Sequence, residues 1–124
     1  LGRKYVAIGA ILSLLSVAIG AFGAHALKSV LDESAQKTYE TGVQYHMVHS
    51  LGILIAALLA NQWGESRKLL WSMRLLFIGI VLFSGSLYVL SITGVKILGA
   101  ITPFGGIAFI AGWILLATAA LQRK

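Results

Sequence analysis

An all-α integral membrane fold is predicted: a bundle of four transmembrane helices, with an amphipathic segment on the outer face between the first two. Three observations predict it. Hydrophobic residues make up 58% of the 124-residue chain and charged residues only 11%, where a soluble domain carries about 25% charged residues. A chain this short has too little interior to hide that much apolar surface from water. The apolar residues gather into four runs, each long enough to cross the roughly 30 Å hydrocarbon layer of a bilayer, and most of the charge lies between or beside them. Residues 1–124 therefore read as a single transmembrane domain.

The first span covers about residues 5–24, a run without a charge. Arg3-Lys4, the apolar run and Ala24-His25-Ala26 also fit a secretory signal with a small-residue cleavage site. The run exceeds the usual apolar region of about 7–15 residues, which favours a retained span. Residues 25–42 are polar and hold Asp32, Glu33 and Glu40, three of the four acids. Ala26, Leu27, Val30 and Leu31 suit one side of a short interfacial helix. Asp32 or Ser34 suits the N-cap of a helix running on through Tyr39 and His46. The cleanly apolar second span is placed at about 43–61.

Residues 61–68 form a short basic turn, and the third span follows at about 69–92. Its one charge, Arg74, sits near the helix end, where a long side chain reaches the headgroups. Gly94 and Gly99 make the next connection loop-like. Thr102-Pro103 reads as an N-cap followed by proline at the first helical position, opening a fourth span at about 103–121. A longer helix from Ile97 with a kink at Pro103 is the alternative. Trp63 and Trp71 suit an interfacial belt.

Four spans put both termini and the 61–68 turn on one side of the membrane. That side carries Arg3, Lys4, Arg67, Lys68, Arg74, Arg123 and Lys124; the other carries Lys28, Lys37 and Lys96. Positive charge concentrates in the cytoplasm, so the expectation is a multi-pass protein of the cell (inner) membrane with both termini cytoplasmic. The same placement explains the net charge of +6 without nucleic acid, since no basic face with interleaved aromatics is present to grip phosphates.

In this orientation the polar residues of the spans collect in the outer half. His25 closes the first span; Gln44, Tyr45, His46, His49 and Ser50 open the second; Ser84, Ser86, Tyr88 and Ser91 follow in the third, and Thr102 begins the fourth. Polar groups in hydrocarbon face each other or a wet cavity. His25, Tyr45, His49, Ser84, Ser86, Tyr88 and Thr102 thus define a candidate polar pocket. His46 and His49, three residues apart, share a helical face, and with His25 they are the candidate metal ligands or proton relay. Interhelical hydrogen bonding is the competing reading and requires no metal.

Small residues form the second pattern. Gly9, Ser13, Ser16, Gly20 and Ala24 make a stripe along the first span, and Gly105, Ala108 and Gly112 do so on the fourth. Such stripes let helix backbones approach closely, either within one bundle or between copies. There is no cysteine, no Ser-His-Asp order, no paired carboxylates and no phosphate-binding loop. No catalytic residue, cofactor or firm metal site is expected.

Several phrases carry a resemblance. Gly20-Ala21-Phe22-Gly23-Ala24-His25 closes the first span, Tyr45 and His49 open the second, and Phe83-Ser84-Gly85-Ser86-Leu87-Tyr88 lies in the third. Thr102-Pro103-Phe104-Gly105-Gly106 and Ala111-Gly112-Trp113 mark the fourth. In order, and over almost the whole chain, they resemble the small inner-membrane family typified by the bacterial YgdD and YwdK proteins, with the eukaryotic transmembrane protein 256 as a relative. The resemblance implies four spans and histidines at His25 and His49, not necessarily at His46. It implies no established activity. The expected function is that of a non-enzymatic structural or accessory membrane protein, whose partners are the bilayer and a second membrane protein or a further copy. An oligomeric carrier or channel for a small solute or metal ion is the alternative.

Overall fold

The computed structural model describes residues 2–64 and 66–122; Arg123 and Lys124 of the charge count lie outside the described residues. Helix α1 spans Gly2–His25, α2 Glu33–Trp63, α3 Arg67–Gly79, α4 Gly85–Thr93 and α5 Thr102–Gln122. A π-helical turn at Ile80–Ser84 joins α3 to α4, so that Arg67–Thr93 crosses as one span. A 3₁₀ turn at Lys96–Ala100 leads into α5. Four helical spans are long and apolar enough to cross a membrane, and no strand occurs among the described residues.

Local chemistry sets the helix ends. The Asp32 carboxylate accepts the Ala35 amide at 2.8 Å and starts α2, satisfying an amide that the helix leaves unpaired. Ser66 does the same for α3 through Leu69 at 3.1 Å. Gly94, at φ 73°, closes α4 in the left-handed conformation that glycine adopts freely. The polar stretch 25–42 divides at the Asp32 cap, as the sequence suggests, but its first part is no helix. Only residues 26–32 are a turn, and the remainder forms the first turns of a 31-residue α2. At about 1.5 Å per residue α2 is ~46 Å long, more than the hydrocarbon layer needs. Polarity marked where apolar burial begins, whereas the Asp32 cap fixed where the helix begins.

Thr102 is also placed differently from its expected role. It is the first residue of α5, and its hydroxyl lies 2.6 Å from Ser86 Oγ on the neighbouring span. It links two helices rather than capping one.

Gly2 packs on Asn61, and Ala119 clusters with Ala60 and Leu69. The start of α1, the α2–α3 connection and the end of α5 therefore lie together, at what is here termed the terminal end; the α1–α2 and α4–α5 connections mark the loop end. In the most apolar stretch of each span, 44% of residues are buried in α2 but 17% in α1. Helix α2 is the centre and α1 the most lipid-exposed element. The core joins Tyr5 of α1 to Ile53, Ala56 and Ala57 of α2, Met73 and Leu76 of α3, Ile80, and Phe109 of α5.

Apolar burial gives helices little reason to associate when lipid is equally apolar, so close packing and interhelical hydrogen bonds carry the association. The small-residue stripes supply the packing. Gly9 faces the Leu54 side chain and the Ser50 carbonyl, Gly20 faces Val43, and Ser16 is fully buried. Gly112 sits on Leu76 and the Ser72 carbonyl, Gly105 lies against the Phe83 backbone, and Ala108 is buried. Ala24 departs from the pattern: it is exposed, and Gly23 takes its place against the Tyr39 ring. Apart from Ala24, these stripes pack within the chain.

Candidate functional site: a polar and aromatic core at the loop end

Serine hydroxyls tie the spans together. Ser84, at the end of the π-helical turn, donates to the Gly42 carbonyl of α2 at 2.7 Å. Ser13 of α1 donates to Ser50 Oγ of α2 at 3.1 Å. Ser86 pairs with Thr102 as described. At the terminal end Ser72 donates to the Gly112 carbonyl at 2.8 Å. The π-helical turn left no mark in the sequence. Its i→i+5 bond, from the Gly85 amide to the Ile80 carbonyl, accompanies the close approach of the Phe83 backbone to Gly105. Such turns occur often at functional positions.

The two histidines of α2 face different neighbours. His46 is buried, with Nδ1 2.8 Å from the Tyr88 hydroxyl. The absence of a side chain at Gly42 admits the Tyr88 ring, which also packs on Tyr39 with centroids 5.4 Å apart. The Tyr39 hydroxyl donates to the Ile19 carbonyl of α1 at 2.6 Å. His46 thus belongs to a three-helix contact; its Nε2 is buried and makes no close, well-aligned hydrogen bond among the described residues, the Leu12 backbone of α1 being the polar group within reach. His49 donates from Nδ1 to the Tyr45 carbonyl at 2.7 Å. Its ring stacks on Phe109 at 3.5 Å, with Tyr45, Phe83 and Trp113 around the pair. A carbonyl oxygen only accepts, so Nδ1 of His49 carries a proton.

His25 does not join them. It is exposed at the end of α1. The pairing of Ser13 with Ser50 and of Gly9 with Leu54 sets the α1–α2 register. This register puts His49 level with Leu14, about eleven residues and ~16 Å of helix axis from His25. The similar depth expected for His25 and His49 fails because the first ten residues of α2, 33–42, already run alongside α1 before the apolar part of the span begins. Among the described residues, no group of three His, Asp or Glu side chains is arranged to hold a metal ion.

The expected pocket therefore separates into parts. Tyr88 joins His46, a histidine left out of the pocket though named as a ligand candidate; Ser84 joins Gly42, and Ser86 joins Thr102. Tyr45 and His49 form an aromatic group with Phe83 and Phe109. Tyr39 and Gly42, absent from the expected site, are central to it. The pairing of a small residue on one helix with a ring on its neighbour was the available signal.

Fold and site together define a multi-span α-helical membrane protein whose buried polar groups bind helix to helix. Comparison with known proteins narrows this. A family model described as "Protein of unknown function (DUF423)" matches residues 19–106. The UPF0382 membrane protein YwdK of Bacillus subtilis is 48% identical over 120 residues, covering 97% of this chain and 98% of its own. A UPF0382 membrane protein of Haemophilus influenzae is 40% identical over 98% of this chain and 97% of its own. The UPF0382 inner membrane protein YgdD of Escherichia coli is 38% identical over 98% and 92%. The chain belongs to this DUF423/UPF0382 family of membrane proteins of unknown function. No solved structure matches it.

Proposed function

We propose that the protein is a non-enzymatic accessory component of the cell membrane, with both termini in the cytoplasm, and that it acts by packing against another membrane protein. The observation that carries this reading is the direction of its buried polarity. Ser72, Ser84 and Tyr39 donate their hydroxyls to a carbonyl of a neighbouring span, and the hydroxyls of Ser13, Ser86 and Tyr88 lie within hydrogen-bond distance of a side chain there. Groups engaged in this way stiffen a bundle and are not presented to a substrate. The arrangement of basic residues supports the orientation. Affinity purification in mild detergent tests the reading: a second membrane protein retained in fixed ratio supports it, and a strictly monomeric particle without a partner counts against it.

One observation favours a second reading, a carrier or channel for a small solute. His46 Nε2 is buried and makes no well-aligned hydrogen bond among the described residues, and an intramembrane ionisable group of that kind is a common mark of a transport path. Four helices enclose little space, so this reading requires an oligomer. Absence of ion, metal or metabolite flux in proteoliposomes would end it.

A further inference from the structure

Between α1 and α3, at the terminal end, lies a groove of about 420 Å³ that the polar core does not use. Its lining is graded along the bundle. Lys4 and Trp71 line the part nearest the chain terminus, Arg74 lies about one turn deeper, and Ile8, Phe77 and Ile78 form the apolar floor beyond. The Arg74 guanidinium rests over the Trp71 ring, 5.0 Å from its centroid, which holds the charge at the groove. Neither Lys4 nor Arg74 has a carboxylate partner among the described residues, and no acid lines the groove. Two cations from different spans without a carboxylate partner, above an apolar floor, suit an anion that is itself amphiphilic.

We propose that this groove is a binding site for one anionic phospholipid. Lys4 and Arg74 hold the phosphate, Trp71 packs beside the glycerol region, and one acyl chain lies over Ile8, Phe77 and Ile78. Size supports a single lipid, because the groove is at the small end of the roughly 300–1,000 Å³ of ligand sites. Charge selects the headgroup: a zwitterionic lipid brings its own ammonium towards the two cations. Arg3, Arg67 and Lys68 at the same end add to the attraction without lining the groove. The site would also join α1, the least covered span, to α3.

Native mass spectrometry of the full chain, released from equal mixtures of phosphatidylglycerol and phosphatidylcholine, tests the proposal. The expected result is one retained phosphatidylglycerol, preferred over phosphatidylcholine. Lys4→Gln and Arg74→Gln should each weaken the preference by roughly fivefold, the weight of one basic residue near a membrane surface. Arg74→Lys should keep most of it, and Lys28→Gln/Lys37→Gln at the loop end should leave it unchanged. Both groove residues are exposed, so their loss does not open the core; Arg74→Lys keeps the test valid should Arg74→Gln fail to fold. Equal retention of both lipids, or a preference untouched in Lys4→Gln/Arg74→Gln, overturns the proposal. Displacement by millimolar inorganic phosphate also overturns it, since the groove would then bind a free anion.

Discussion

Gly105 is the position where the packing account is most exposed to test. A Cβ added there would meet the Phe83 backbone, with Phe83 Cβ at 2.7 Å, Cα at 2.8 Å and the amide nitrogen closer still. These atoms belong to the π-helical turn and cannot rotate away as a side-chain tip can. Overpacking a tight interface costs about 1–3 kcal/mol, and a backbone clash places Gly105→Ala at the upper end, ~3 kcal/mol. Gly106, one residue on, offers an internal control, because its added Cβ would meet only Phe83 Cδ2, at 4.0 Å. Gly106→Ala should therefore be close to neutral. Both variants have the same composition, so lipid and detergent effects cancel in the comparison. Reversible unfolding in bicelles, or thermal unfolding in one detergent, reads the difference. If Gly105→Ala is as stable as Gly106→Ala, the α5–π-turn contact is not as close as described and the packing argument fails.

Other perturbations give separate outcomes. Tyr88→Phe removes the hydroxyl beside His46 Nδ1 and should destabilise the bundle by ~0.6–1.7 kcal/mol, the range for interhelical hydrogen bonds in membranes; an unchanged midpoint would show the bond to be idle. Ser84→Ala should cost a similar amount through loss of the bond to Gly42, and its effect should add to that of Ser72→Ala at the other end of the bundle; strong non-additivity would contradict independent cross-links. Zinc should leave the unfolding midpoint unchanged, and a zinc-dependent rise that His49→Ala abolishes would restore a ligand role. The chain has no cysteine, so Gln122→Cys and Lys28→Cys report topology directly: an impermeant thiol reagent applied to intact cells should label only the second, and labelling of Gln122→Cys reverses the proposed orientation.

Much of the architecture was legible because its causes are local or compositional. Four apolar runs declare four spans whatever their packing. Asp32 precedes a helix for the same reason in any context, and a Gly9–Ser13–Ser16–Gly20 stripe declares a close helix contact. What could not be read depends on register between helices. His25 and His49 lie at similar distances from the ends of their apolar runs, but depth is set by where the helices touch. The pairing of Ser13 with Ser50 is a tertiary fact. The extra residue of the π-helical turn is likewise invisible, since Ile80–Ser84 has the composition of any transmembrane helix. Thr102 shows a local rule overridden: a residue suited to an N-cap found a better partner in Ser86 across the interface.

The histidines also show why residue type alone misleads in a membrane. Three imidazoles near one end of the spans suggest a metal site. In the fold, one is exposed, one is locked to a carbonyl and a ring, and one shares a tyrosine hydroxyl. His46 is the buried imidazole whose Nε2 makes no well-aligned hydrogen bond among the described residues, and it is the residue on which the structural and transport readings diverge.

Proton flux through the purified protein is the most direct measurement of that divergence. Proteoliposomes loaded with a pH-sensitive dye and given a pH gradient should leak no faster than protein-free vesicles if the buried polar groups are cross-links. Flux above that baseline, lost in His46→Leu, would show instead that the polar core is a path and contradict the account.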